Sequence, residues 1–119
     1  MTKHLELSYV EFPAKNLSAT KAFFEAVFQW SFKDYGQEYS SFSNAGLDGG
    51  FFKSDLASST ELGAALLVMY IKNLDLTQQE IEQSGVKIVK TVFSFPCGRR
   101  FHFVEPSCIE FEVWLDFDA

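Results

Sequence analysis

The sequence is poor in the features that most often announce a function. No stretch concentrates lysine and arginine: ten basic residues stand against sixteen acidic ones, for a formal charge of −6. A surface that tracks phosphate needs a basic cluster to replace displaced counterions, so the composition argues against a nucleic-acid partner. No apolar run approaches the roughly 20 residues that cross a bilayer as a helix, which argues against a membrane partner. The opening residues, MTKHLELSYVEF, alternate polar and apolar side chains and lack the continuous apolar segment of a secretion signal. The expectation is a cytoplasmic protein. Cysteine is scarce, with only Cys97 and Cys108. The RRFHFVE segment between them reads as a strand and sets the thiols on the order of 20 Å apart along it. A disulfide needs Cα atoms within about 7 Å, so two free thiols are expected. There is no G-x-S-x-G, and neither cysteine lies in an activating context, so no nucleophile motif is present.

What the chain does have is aromatic and apolar bulk, together with an internal repeat. Hydrophobic residues make up 47% of the 119, fourteen of them phenylalanine. That is enough apolar surface to offset the ordering entropy of a single domain spanning 1–119, and it predicts a thick core or an aromatic-lined cavity. KNLSAT at 15–20 is nearly repeated by KNLDLT at 72–77, at a spacing of 57. Before each lies a strand-like stretch, LELSYVEFPA and GAALLVMYI. Asn16 and Asn73 then stand where a helix N-cap belongs. The first helix, near 16–28, carries Leu17, Phe24, Val27 and Phe28 on one face; the second, near 74–84, carries Leu74, Thr77 and Ile81 and ends at Gly85.

Three further strands follow each helix: WSFKDY, EYSSFS and LDGGFF in the first half, KIVKTVF, RRFHFVE and IEFEVW in the second. Here the spacing becomes 62, aligning Gly36 with Gly98, Tyr39 with Phe101, Phe42 with Val104 and Leu47 with Ile109. The Gly49–Gly50 pair reads as a flexible or bulged strand rather than a phosphate cradle, since no helix follows it. A strand–helix–three-strand unit therefore occurs twice: module one over about 1–53, a Ser-rich linker at 54–63, and module two over about 64–119. This is an α+β fold of two βαβββ modules. Each unit alone leaves a sheet face uncovered, and pairing lets the curled mixed sheets form a shared trough with the helices outside. In the last strand Ile109, Phe111 and Val113 form the core face, and Glu110, Glu112 and Trp114 form the trough face.

The stretches YVEFPAKNLSATKAFFEAVFQW and CGRRFHFVEPSCIEFEVW resemble the opening and ending of vicinal-oxygen-chelate domains, the glyoxalase, bleomycin-resistance and extradiol-dioxygenase superfamily. The resemblance spans nearly the whole chain and implies paired βαβββ modules. Two positions depart from its pattern: Gln29 replaces a glycine after the first helix, and the DPxGN hairpin reads EPSCI. Carried over residue by residue, the four ligand positions of metal-using members fall on Tyr9, Gly50, Leu66 and Glu112. Of these only Glu112 is an ordinary ligand, and a catalytic site wants about three. The resemblance therefore implies a domain without metal or other cofactor, sequestering or sensing a small, partly aromatic ligand. The alternative is a metal-dependent lyase or isomerase with Glu112 as base.

The candidate ligand-binding residues are Tyr9, Glu11, Gly50, Leu66, Tyr70, Arg100, His102, Glu112 and Trp114. His102 alternates with Phe101 and Phe103 and so shares a face with Arg100. Glu112 is expected to be the main acceptor for a ligand hydroxyl, amine or guanidino group, with Tyr9 and His102 secondary; a purely structural Glu112–Arg100 pair is the competing outcome. A homodimer is expected, because small domains of this type commonly pair and the aromatic excess leaves apolar surface to cover.

Overall fold

Both helices begin where an asparagine side chain takes over a backbone donor. Asn16 accepts from the Ala19 N–H at 3.1 Å, and Asn73 accepts from the Leu76 N–H at 3.0 Å. The structure, a computed structural model, describes residues 3–117. Strand β1 (Tyr9–Ala14) leads into α1 (Leu17–Phe28), followed by β2 (Ser31–Asp34), β3 (Tyr39–Ser43) and β4 (Asp48–Lys53). The linker holds one short 3-10 turn (Thr60–Leu62). The second unit then runs β5 (Leu67–Tyr70), α2 (Leu74–Gln83), β6 (Lys87–Phe95), β7 (Gly98–Val104) and β8 (Glu110–Asp116). The two sheets have the same strand order, β1-β4-β3-β2 and β5-β8-β7-β6. In each the first-listed pair is parallel and the other neighbours are antiparallel, so both sheets are mixed. The fold is α+β with two βαβββ modules. No helix among the described residues is long and apolar enough to cross a membrane.

Strand registers give the repeat a physical test. Glu11 lies opposite Gly50, and Val68 opposite Glu112, so the spacings of 57 and 62 hold for the parallel pair of each module. The third strands do not follow the spacing of 62. Ser41 lies opposite Gly50 while His102 lies opposite Glu112, so Tyr39 corresponds to Arg100 and Phe42 to Phe103, not to Phe101 and Val104. The cause is the turn after β7, residues 105–109, which is one longer than residues 44–47 after β3. A slip of one residue exchanges the faces of a strand. The corrected pairing keeps Phe42 and Phe103 together in the core, where both are buried.

Gly49 and Gly50 also differ from expectation, since β4 pairs without a bulge from Asp48 to Lys53. They are required by close approach. A Cβ on Gly49 would meet the Val10 carbonyl and the Phe42 ring, and one on Gly50 would meet the Tyr39 phenol. The missing family glycines are replaced by residues that take the strained conformation: Gln29 has φ 61° and Cys108 has φ 67°. Each costs about 1 kcal/mol relative to glycine. Cys97 and Cys108 are both free thiols.

One aromatic core serves both sheets. Phe24 of α1 is fully buried, stacks on Trp30 at 4.2 Å, and meets Phe51 of the first sheet at 5.7 Å and Phe111 of the second at 5.2 Å. Phe23 and Phe28 reach across to Phe103 at 5.6 and 5.9 Å. Such pairs add about 0.5–1.5 kcal/mol each beyond area burial.

Beside this core lies a buried polar knot. The Thr20 hydroxyl of α1 donates to Glu105 at 2.6 Å and lies 2.6 Å from the Ser107 hydroxyl, while the Ser107 N–H donates to the same carboxyl. Ser107 in turn accepts from the Asn16 N–H at 3.0 Å. The knot ties the β7–β8 turn of module two to the start of the module-one helix. Burial pushes the Glu105 carboxyl up to about 7 from 4.5, against the hydrogen bonds from Thr20 and the backbone, which lower it. Below 4.5 both folded and unfolded states hold this proton, and above 7 neither does. Between those values only the folded state holds it, so Glu105 stabilises the fold at acid pH and that contribution is lost as pH rises through 7. Chemical denaturation of Glu105→Gln and the parent from pH 4.5 to 8 should show their stability difference changing by on the order of 3 kcal/mol. A pH-independent difference would exclude Glu105 as the titrating group.

Candidate functional site

The faces turned away from the core carry the candidate site. On the second sheet, strand alternation sends Phe101, Phe103, Phe111 and Val113 inward and leaves Arg100, His102, Glu112 and Trp114 on the other face. Although they lie outside the main core, His102, Glu110 and Glu112 are 8%, 8% and 2% exposed. Their burial is offset because they hydrogen-bond one another in a chain. Nδ1 of His102 lies 2.7 Å from Glu110, and Nε2 lies 2.8 Å from Glu112. Nη1 of Arg100 donates to Glu112 at 3.3 Å. At the other end, the Thr60 N–H and hydroxyl donate to Glu110 at 2.8 and 2.9 Å, so the linker closes the chain.

Burial alone would push the Glu110 carboxyl up, but the donors from Thr60 and His102 hold it below the usual carboxylate range. An ionised Glu110 only accepts, so His102 carries a proton on Nδ1. The 2.8 Å contact of Nε2 with Glu112 needs a second proton on one of those two atoms.

Arg100 is fixed by its neighbours. Two register shifts in β6 bring Phe93 opposite Arg100 and Phe95 opposite Gly98. The guanidinium lies over both rings, 4.8 and 4.6 Å from their centroids. Its Nε is buried without a hydrogen-bond partner. A cavity of about 250 Å³ opens here, lined by Val68, Phe95, Cys97, Arg100, Glu112 and Trp114. Tyr70 stands against Trp114 at 5.2 Å and donates to Asp116 at 3.3 Å.

The remaining candidates lie elsewhere. Tyr9, Glu11 and Gly50 are on the first sheet, gathered around Tyr39. Leu66 precedes β5 and is half-buried. Among the described residues no side-chain hydrogen bond or ring contact joins the Tyr9–Glu11 group to the Arg100–Glu112 group. Sequence reasoning left Glu110, Thr60, Phe93 and Tyr39 out of the candidate set. Glu110 was legible, because it shares strand phase with Glu112. Tyr39 was hidden by the register slip, which put it in phase with core-facing Phe101.

A metal would find few ligands here. Of Tyr9, Gly50, Leu66 and Glu112, only Glu112 supplies an ordinary donor. His102 cannot complete a set with the two glutamates, because they sit at opposite nitrogens of its ring and their lone pairs do not converge on one point. Among the described residues no group of three or more His, Cys, Asp or Glu is arranged to hold a metal ion.

Comparison with known proteins agrees with the architecture. The profile of the Glyoxalase/Bleomycin resistance protein/Dioxygenase superfamily matches residues 6–113. The fosfomycin resistance protein FosX from Listeria monocytogenes superposes with a TM-score of 0.78 at 21% identity, covering 97% of this chain and 94% of that one. A mutant of that protein, complexed with Mn(II) and 1S,2S-dihydroxypropylphosphonic acid, superposes with a TM-score of 0.77 at 19% identity, covering 95% and 90%. Lactoylglutathione lyase from Agrobacterium tumefaciens gives 0.71 at 15% identity, covering 96% of each chain. No curated protein matches by sequence.

The donor set leads to a measurable expectation. Protein incubated with Zn, Ni, Mn and Fe salts and then desalted should retain well under one metal per chain by elemental analysis. Retention of about one equivalent, lost in Glu112→Gln, would contradict the assignment.

Proposed function

Because this chain belongs to the glyoxalase/bleomycin resistance protein/dioxygenase superfamily, we propose that it binds a small, partly aromatic molecule on the outer face of its second sheet, without a metal, to sequester or sense it. The observation that carries this reading is a buried carboxylate at an aromatic-walled cavity. Trp114 and Phe95 supply flat apolar walls, and Glu112 with Arg100 supplies the polar element. Pockets of this make-up bind through apolar area and orient through a few polar groups.

Glu112 retains capacity for a ligand. His102 and Arg100 both bond Oε1, whereas Oε2 has only a 3.5 Å contact with Arg100. A ligand hydroxyl or amine can donate to Oε2, and the guanidinium fixes the carboxylate that receives it. The ring faces of Trp114 and Phe95 then hold the aromatic part.

The chain acts as a cytoplasmic homodimer in this proposal. Two free thiols suit a reducing compartment. Val68 and Tyr70, on the strand beside β8, expose 48% and 47% of their surface, apolar area that a second copy would cover.

A thermal-shift screen of small aromatic alcohols and amines tests the binding reading. A ligand at about 100 times its dissociation constant should stabilise the protein by about 2.7 kcal/mol. Glu112→Gln should weaken that ligand by about 1.5–3 kcal/mol while the unliganded protein melts near the parent temperature. Unchanged binding with a melting point several degrees lower would make Glu112 a structural residue. Light scattering at micromolar concentration should give twice the chain mass, and a monomer mass would remove the dimer from the proposal.

A further inference from the structure

The first sheet carries a second cluster whose hydrogen-bond directions are fixed by counting protons. The Tyr39 phenol donates to Glu11 at 2.9 Å, because a carboxylate only accepts. Its one proton is then used, so in the 2.5 Å contact between Tyr39 and Tyr9 the donor is Tyr9. The Tyr9 proton is used in turn. No donor remains on the cluster, and what it leaves unpaired is lone pairs: those of the Tyr9 oxygen, the second of Tyr39, and those of Oε1 of Glu11. The ring faces around them have the same sign, since an aromatic face is electron-rich. Tyr9 is 45% exposed, and Tyr35, packed edge-on against Tyr39 at 6.3 Å, is 57% exposed.

Two observations show that this is a built arrangement. Gly50 has no side chain, and any Cβ there would strike the Tyr39 phenol, so the glycine is the seat on which the ring lies. In addition, Lys33 already holds its ammonium over the Tyr35 ring, 5.2 Å from the centroid, so a cation is accommodated at the edge of the group. Glu11 itself is not neutralised. Among the described residues no lysine, arginine or histidine forms an ion pair with it.

We infer that the Tyr9–Tyr39–Glu11 cluster is a subsite for a protonated primary amine. An ammonium brings three donors to a group that offers only acceptors, and its charge is matched by Glu11 and the ring faces. A carboxylate or phosphate would meet lone pairs alone. A quaternary ammonium would gain the ring contacts without any hydrogen bond. This goes beyond the cavity on the second sheet, which uses different residues, and it stands or falls separately.

The test is a titration of the full chain with 2-phenylethylammonium at pH 7, followed through the ring NMR signals of Tyr9 and Tyr39. Saturable shifts are expected for this amine and none for 3-phenylpropionate. Phenyltrimethylammonium should bind at least tenfold more weakly. Glu11→Gln, at an exposed position, should weaken the amine at least tenfold. Gly50→Ala should do the same by displacing the Tyr39 ring without changing any charge, with its circular dichroism spectrum confirming the fold. Glu112→Gln should leave these tyrosine shifts intact. The inference is overturned by any one of three results: no saturable shift with the amine, equal affinity for the quaternary analogue, or unaltered affinity in Glu11→Gln.

Discussion

Phe24 of the first helix is wedged between the two sheets. One side chain from the first helix touches Trp30 and Phe51 on its own module and Phe111 on the other. The inner faces of both modules belong to one cluster of buried residues, and this ring touches both sheets within it. Interiors pack at crystal-like density, so a shared wedge fixes the relative placement of both sheets. Everything on the outer faces inherits that placement. Glu112 sits one residue from Phe111, and Glu11 one residue from Phe12, which itself meets Phe111 at 5.3 Å.

The outer face of the second sheet has a different logic. Burying charged groups is costly unless they are paired and hydrogen-bonded. Here the alternation of β8 puts Glu110 and Glu112 two residues apart, and the alternation of β7 sets His102 between them. Arg100 at one end and Thr60 at the other complete the chain. On the first sheet Glu11 is exposed and meets no cation among the described residues; the Tyr39 phenol donates to it instead. There burial, followed by the contacts with Tyr9 and Glu11, drives the Tyr39 phenol far above its ordinary value.

Most of the fold was legible because duplication wrote it twice. The asparagine caps, the apolar helix stripes and the strand alternation each appear in both halves, and the registers of the parallel pairs return the spacings of 57 and 62. The slip at Tyr39 was not legible, since the extra residue in the 105–109 turn shifts one strand without disturbing the next. The candidate site was legible on the second sheet, where strand phase alone joins Arg100, His102 and Glu112. It was less so on the first. Tyr39 of β3 reaches Glu11 of β1 across the intervening β4 at Gly50, and such side-chain reach leaves no local pattern in a sequence.

The extra residue in the 105–109 turn decides how the two modules fit together. It gives module two a hairpin whose Glu105 and Ser107 engage Thr20 of the first helix. Thr77 stands at the matching place in the second helix, but the shorter 44–47 turn, Asn-Ala-Gly-Leu, carries no carboxylate to meet it. The two halves are complementary rather than equivalent. A tandem of two first modules would lack the glutamate, and a tandem of two second modules would lack the aromatic wedge of Phe23, Phe24 and Phe28.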